Sequence, residues 1–384
     1  MKPNSPALQP LRTQMASSRY YSIPILQRLA NMHFARKESG RFYLHPVDRE
    51  FAFRLIPDDE SEDDDVFTDY ESHFTQHDLT LLAADYFAAA RKPRAEWKKL
   101  DDLSAQMAEF DLRCAAGDYD MACSILDDID FDYLYSWGHF NLIINLHMRV
   151  KDKLRYKSLI MVNMNGLGVS HFYTGRVEEA RVFCEIGLQT AEDEINRGFQ
   201  AIFLGGLGLI YAHLGDASKA IEFDEQAIRI LHDIGDTGNE GNTLVNNGLA
   251  YLLSGDYRKS IYYLQQAIEI VDQVSLSVAQ LEARWGLAQA YLLQNDLLNA
   301  HIAIEAALQY DDTRYNHNAS ALHGIIALRQ GDEVAARGAF VRAIGQADEI
   351  LSKTAEYYSA LDAKGLAICG LTICDLPQIG RAHV

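Results

Sequence analysis

His73 and His77 are the pair most like a metal site in this 384-residue chain. Four residues apart, they would share one face of a helix. Two imidazoles leave a zinc tetrahedron half built, and no cysteine lies near them in sequence. Solvated or capping histidines are therefore expected, and no metal site. A phosphate-binding loop is excluded more firmly. No lysine follows a glycine anywhere, so the phosphate loop G-x-x-x-x-G-K-[ST] is absent. Neither a zinc-protease HExxH nor a GxSxG nucleophile elbow occurs. No catalytic group is expected, and no cofactor for this chain by itself.

The elements that would position any site are set by a periodic glycine. It falls at Gly175, Gly215 and Gly255, with Asn295 and Gly331 continuing the series, at spacings of 40, 40, 40 and 36 residues. A fixed period of this size marks stacked structural repeats. Other positions keep the same phase. Seven residues before the marker stand Gly168, Gly208, Gly248, Ala288 and Gly324; four before it stand His171, Tyr211, Tyr251, Tyr291 and Ala327. Five after it come Ala180, Ala220, Ser260, Ala300 and Ala336, and twelve after it Gly187, Ala227, Ala267, Ala307 and Ala343. Small residues at these offsets let two helices approach closely, with the tyrosine ring filling the gap. The marker ends the first helix as a left-handed cap. Asp216, Asp256 and Asp332 follow it and suit the start of the second.

This pattern resembles the tetratricopeptide repeat, most closely over Gly248 to Ala267, GLAYLLSGDYRKSIYYLQQA. The usual period is about 34 residues, so each unit carries roughly six more, expected as longer helices. Five good repeats are expected over roughly 160–350. Gly117-Asp118-Tyr119 with Ala122 reads as the turn of a degenerate earlier unit. The resemblance implies a mainly α fold, a right-handed superhelical α-solenoid. It also implies that first helices line a concave groove binding a protein or peptide. In that frame the groove residues include Asn165, Phe172, Asn242, Leu249, Trp285 and Gln289. Trp285 is the expected anchor, and the amides would bond a peptide backbone. The plainer role for Trp285 is packing between repeats. The groove lacks a cluster of Lys and Arg.

Charge divides the N-terminal part. Residues 1–56 hold nine Lys or Arg against three Asp or Glu, and 58–65 hold seven carboxylates in eight positions. The net charge of −19 argues against nucleic acid as partner of the whole chain. The five cysteines form no CxxC pair and read as reduced cytosolic thiols. No apolar run is long enough to span a bilayer, so no membrane association is expected. Residues 23–55 read as helix, hairpin and helix, a partial winged helix with a small β-hairpin wing.

Tyr43-Leu44-His45-Pro46-Val47-Asp48-Arg49-Glu50-Phe51-Ala52 resembles the MHD region of STAND signalling ATPases of the NB-ARC type. His45, Arg49 and Ala52 match by spacing, while Leu44 stands for the Met and Pro46 for the Asp. The resemblance implies that His45 contacts ADP, given an ATPase core. Residues 84–133 look like the helical connector of bacterial STAND proteins. Residues 379–384, IGRAHV, resemble a translated sequencing adapter, which suggests a fragment. The expected division is 1–56 partial winged helix, 57–66 acidic linker, 67–160 connector with a degenerate repeat, 161–376 solenoid and 377–384 a non-native-looking tail. Leu361, Leu366, Ile368, Leu371 and Ile373 would lack a following repeat, inviting self-association. The function this supports is the sensor arm of a STAND-type ATPase. A free-standing repeat adaptor and a peptide-responsive transcription regulator are the alternatives.

Overall fold

A computed structural model describes residues 35–38, 41–44, 75–274 and 277–375. The chain divides into two compact units, residues 1–85 and 86–384. In the first, β1 (Ala35–Glu38) pairs antiparallel with β2 (Arg41–Leu44), Ala35 opposite Leu44 and Glu38 opposite Arg41. That this hairpin is the wing of a winged helix is not supported, because the flanking segments 23–34 and 46–56 lie outside the described residues. His45, His73 and residues 376–384 lie outside them too. His77 is exposed on helix α1 (Gln76–Ala89).

The rest is helical. Helices α2 (Ser104–Ala115) and α3 (Tyr119–Ile129) form a hairpin about Gly117, whose φ is +73°. A π-helical turn, Asp130–Tyr135, and α4 (Phe140–Val150) follow. The turn is held by Asp130, which accepts from buried His147 Nε2 at 2.9 Å, while Asn163 Nδ2 donates to His147 Nδ1 at 2.9 Å.

Five antiparallel pairs then stack in order. They are α5 (Lys157–Tyr173) with α6 (Val177–Asp193), α7 (Arg197–His213) with α8 (Ala217–Ile234), and α9 (Thr237–Leu253) with α10 (Tyr257–Val274). The fourth is α11 (Ser277–Leu293) with α12 (Leu297–Ala307), the fifth α13 (Asn316–Gln330) with α14 (Glu333–Leu351). α15 (Tyr358–Asp375) closes the series. Helices of 17 and 18 residues joined by turns of three and two residues account for the 40-residue period.

Local chemistry explains each unit. Every marker residue is left-handed, φ +76° to +83° at the four glycines and +61° at Asn295. The next residue turns the chain twice. Asp216 N–H bonds Tyr211 O at 2.9 Å, closing the first helix, and its carboxylate accepts from Lys219 N at 3.2 Å, opening the second. Asp256, Asp296 and Asp332 do the same. The alanines five and twelve residues past the markers are fully buried, as is Ser260. The aromatic four residues before stacks on the second helix: Tyr211 on Phe223 at 5.4 Å, Tyr251 on Tyr263 at 5.1 Å. The glycine seven before admits the side chain nine after. A Cβ on Gly248 would lie 2.6 Å from Leu264 Cγ, and one on Gly208 would overlap Asp224.

The C-terminal end does not stand free. Tyr357 is fully buried, stacked on Phe140 at 5.2 Å. Thr354 Oγ1 donates to Gly138 O at 2.8 Å, Thr313 Oγ1 to Ser136 O at 3.0 Å, and Asn141 Nδ2 to Glu356 Oε2 at 2.9 Å. The last helices thus close back onto the segment that precedes the first full repeat. Leu361, Leu366, Ile368 and Ile373 are 41–48% exposed, whereas Leu371 is partly buried in the core.

The five cysteines form no disulfide. Among the described residues no helix is long and apolar enough to cross a membrane.

Candidate binding cleft and closed interior

Three first helices, α11, α13 and α15, border a cleft of about 300 Å³. Trp285, Gln289 and Leu292 line it from α11, four and three residues apart and so on one helical face. Asn318, Leu322 and Ile325 come from α13, Asp362 and Leu366 from α15. The lining is apolar with a few polar groups converging on it, the usual make-up of a small ligand site. Trp285 also packs partly buried against the core of the middle repeats, so its anchoring and packing roles coexist. Asn318 Nδ2 donates to Ser359 Oγ at 2.8 Å, which leaves Gln289, among the described residues, as the cleft amide without a protein hydrogen bond.

The other expected groove residues are not brought to this cleft. Asn242 is exposed on α9, while Asn165 and Leu249 are half-buried. Phe172 corrects the expectation. It is 5% exposed, edge-on to His213 at 5.5 Å and to Tyr358 at 5.9 Å, so the closing segment covers it. At the C-terminal ends of α5 and α7 the inner side is covered, because Tyr315 and Tyr357 pack on Tyr173, and Tyr358 on Phe172 and His213.

That inner side carries a polar knot. The 36-residue spacing shortens α12 to 11 residues, and the chain turns inward at Asp312-Thr313-Arg314-Tyr315. Arg314 is 4% exposed and forks onto Asp312, Nε–Oδ1 3.0 Å and Nη2–Oδ2 2.9 Å. Its guanidinium lies 4.3 Å from the Tyr135 ring centre. Tyr173 and Tyr315 share a 2.7 Å hydroxyl bond, and Tyr357 OH donates to Arg314 O at 3.0 Å. Glu282 faces this knot. Burial pushes its carboxyl up to about 7, against the opposing pull of Arg314 and a hydrogen bond with Tyr315.

A raised carboxyl costs nothing below its unfolded value, near 4.5, and costs progressively more as pH rises through the folded one. Wild-type stability should therefore fall between about pH 4.5 and 7. Glu282→Gln is expected to flatten that slope and raise stability at pH 8 by up to roughly 3 kcal/mol. Urea titrations of both proteins at pH 5 and pH 8 measure it; parallel pH dependences would show that Glu282 is ordinarily solvated.

Absent from the expected sites is a cluster on the other side of α13. His301, Glu305 and His323 bring one ligand atom each within 4.8 Å of one another. The signal was legible as His-x-x-x-Glu on one helix, but its third member comes from the next repeat.

With this geometry established, the comparisons are direct. Residues 159–232 match the family model of the tetratricopeptide repeat. No curated protein matches the chain. Among solved structures, a Rap protein complexed with competence and sporulation factor aligns at TM-score 0.52 and 13% identity, over 78% of this chain and 97% of that one. NprR in complex with its cognate peptide NprX aligns at 0.54 and 12%, over 79% and 87%. A STAND protein with a tetratricopeptide repeat sensor from Pyrococcus horikoshii aligns at 0.41 and 14%, over 96% and 59%. For the first two, at these identities, the likeness is one of fold: a tetratricopeptide-type helical solenoid.

Proposed function

We propose that the chain is a non-catalytic repeat scaffold that binds a peptide, or an extended protein segment, in the cleft at Trp285. The observation that carries this is the cleft itself, where one large ring, five leucine or isoleucine side chains and the Gln289 amide converge on about 300 Å³ of space. Two solved structures of similar fold hold a factor and a cognate peptide, which supports the same role for this array.

Selection of a displayed random-peptide library on the full chain supplies the test. Peptides enriched on wild type are expected to bind Trp285→Ala with a loss of about 2 kcal/mol, roughly thirtyfold. Gln289→Ala should weaken them less, and Arg258→Ala, on an exposed second-helix position, hardly at all. Should Trp285→Ala unfold, Gln289→Ala still reports on the cleft. Peptides that bind all three variants like wild type would place the site elsewhere.

A more specific form makes the array the sensor arm of a STAND-type ATPase. The spacing of His45, Arg49 and Ala52, which follows the MHD pattern, favours it. In that setting His45 would meet ADP. An upstream reading frame continuing into GxxxxGK[ST] would support this form, and an unrelated one would remove it.

A further inference from the structure

Three side chains suited to a borderline metal meet where the fourth repeat faces the fifth. His301 and Glu305 lie four apart on α12 and so share a face. His323 approaches from α13. His323 Nε2 and Glu305 Oε1 are 3.2 Å apart. Zinc bonds of about 2.0–2.1 Å place the corners of a tetrahedron about 3.3 Å apart, so this edge already has the required length. His301 completes the triangle within 4.8 Å, a gap that a modest side-chain rotation closes. Its Nδ1 is sealed from solvent and has no hydrogen-bond partner. A simple His323–Glu305 ion pair explains the 3.2 Å contact but leaves that nitrogen orphaned, which buried polar atoms rarely are.

We propose that His301, Glu305 and His323 form a binding site for a divalent zinc-type cation that staples the fourth repeat to the fifth. Two imidazoles and one carboxylate suit zinc and its neighbours rather than magnesium or calcium, which take oxygen ligands. Water would take the fourth position. Ligand imidazoles must be neutral. One neighbour opposes binding. The Arg342 Nη2 sits 3.4 Å from His323 Nδ1, bringing positive charge to the back of the ligand. Arg342 is exposed, with room to swing away.

Thermal melts of the full chain with zinc chloride, after chelator treatment, test the site. At a hundredfold excess over Kd, zinc should raise Tm by on the order of 5 °C, and magnesium should not. His301→Ala and His323→Ala are each expected to abolish the rise and weaken zinc at least ~100-fold. Arg342→Ala should tighten it. His73→Ala with His77→Ala should leave it unchanged. If His323→Ala fails to fold, Glu305→Gln serves, since that side chain is 46% exposed, with cobalt absorption as readout. No rise in wild type, or a rise that survives His301→Ala and Glu305→Gln, overturns the proposal.

Discussion

Replacing Tyr357 with alanine is expected to cost about 3–5 kcal/mol, the largest single loss in the array. The ring is fully buried and stacks on Phe140 at 5.2 Å and on Tyr173 at 5.7 Å. Its hydroxyl holds Arg314 O. Truncation therefore empties an aromatic volume between elements that no repeat-to-neighbour contact joins. The loss should be regional. Repeat arrays unfold through nearest-neighbour units, so α6 to α10 should keep their protection while 130–141 and 350–375 open together. Hydrogen exchange read by mass spectrometry resolves this. Tyr357→Phe, which keeps the stacking and removes only the 3.0 Å bond, should cost about 1 kcal/mol. Exchange confined to 350–375, with 130–141 still protected, would show that the two ends do not depend on each other.

Asp224→Leu should act in the opposite sense, stabilising the chain by roughly 1–3 kcal/mol at neutral pH. Position nine past the marker is a core position, held by Cys184, Leu264, Ile304 and Phe340 in the other repeats. Asp224 sits there with no exposure and no partner for either carboxylate oxygen. Burial raises its pKa well above the usual carboxylate value. The sign follows. Below the unfolded value of about 4 the acid is neutral in both states and the penalty is that of an unpaired hydroxyl and carbonyl. As pH rises above it, the unfolded state ionises first and folding loses ground. The gain from leucine should therefore be larger at pH 8 than at pH 4. Leu264 against Gly248 in the next repeat shows that the shape is compatible. Asp224→Asn separates charge from packing: it should remove the pH dependence and recover only part of the stability. A variant less stable than wild type at pH 8, for both substitutions, would mean that the carboxylate is satisfied in solution.

What could be read without coordinates was whatever repeats. The caps at Gly175, Gly215, Gly255, Asn295 and Gly331 are set by a few adjacent residues, since a left-handed φ and, at all but the first, a following aspartate need no distant partner. The small residues at fixed offsets encode helix-to-helix approach within one unit. Trp285 and Gln289 were legible as groove residues for the same reason, because helical spacing alone puts them on one face.

Phe172 satisfied the same spacing yet is covered, and the difference is not local. Closure depends on small rotations per repeat that accumulate over five units before residues 312–315 and 354–358 reach Tyr135, Phe140 and Tyr173. The shortened 36-residue spacing marked where the chain departs from register but not what it would meet. The knot of Glu282, Arg314 and the tyrosines, and the meeting of His323 with His301 and Glu305, likewise join residues from different repeats. Sequence by itself determined the period, the caps and the class of scaffold, because those rest on short-range sterics. Only the tertiary structure decided which faces stay open and which polar groups are buried together, because that is a property of the accumulated curvature and of no single repeat.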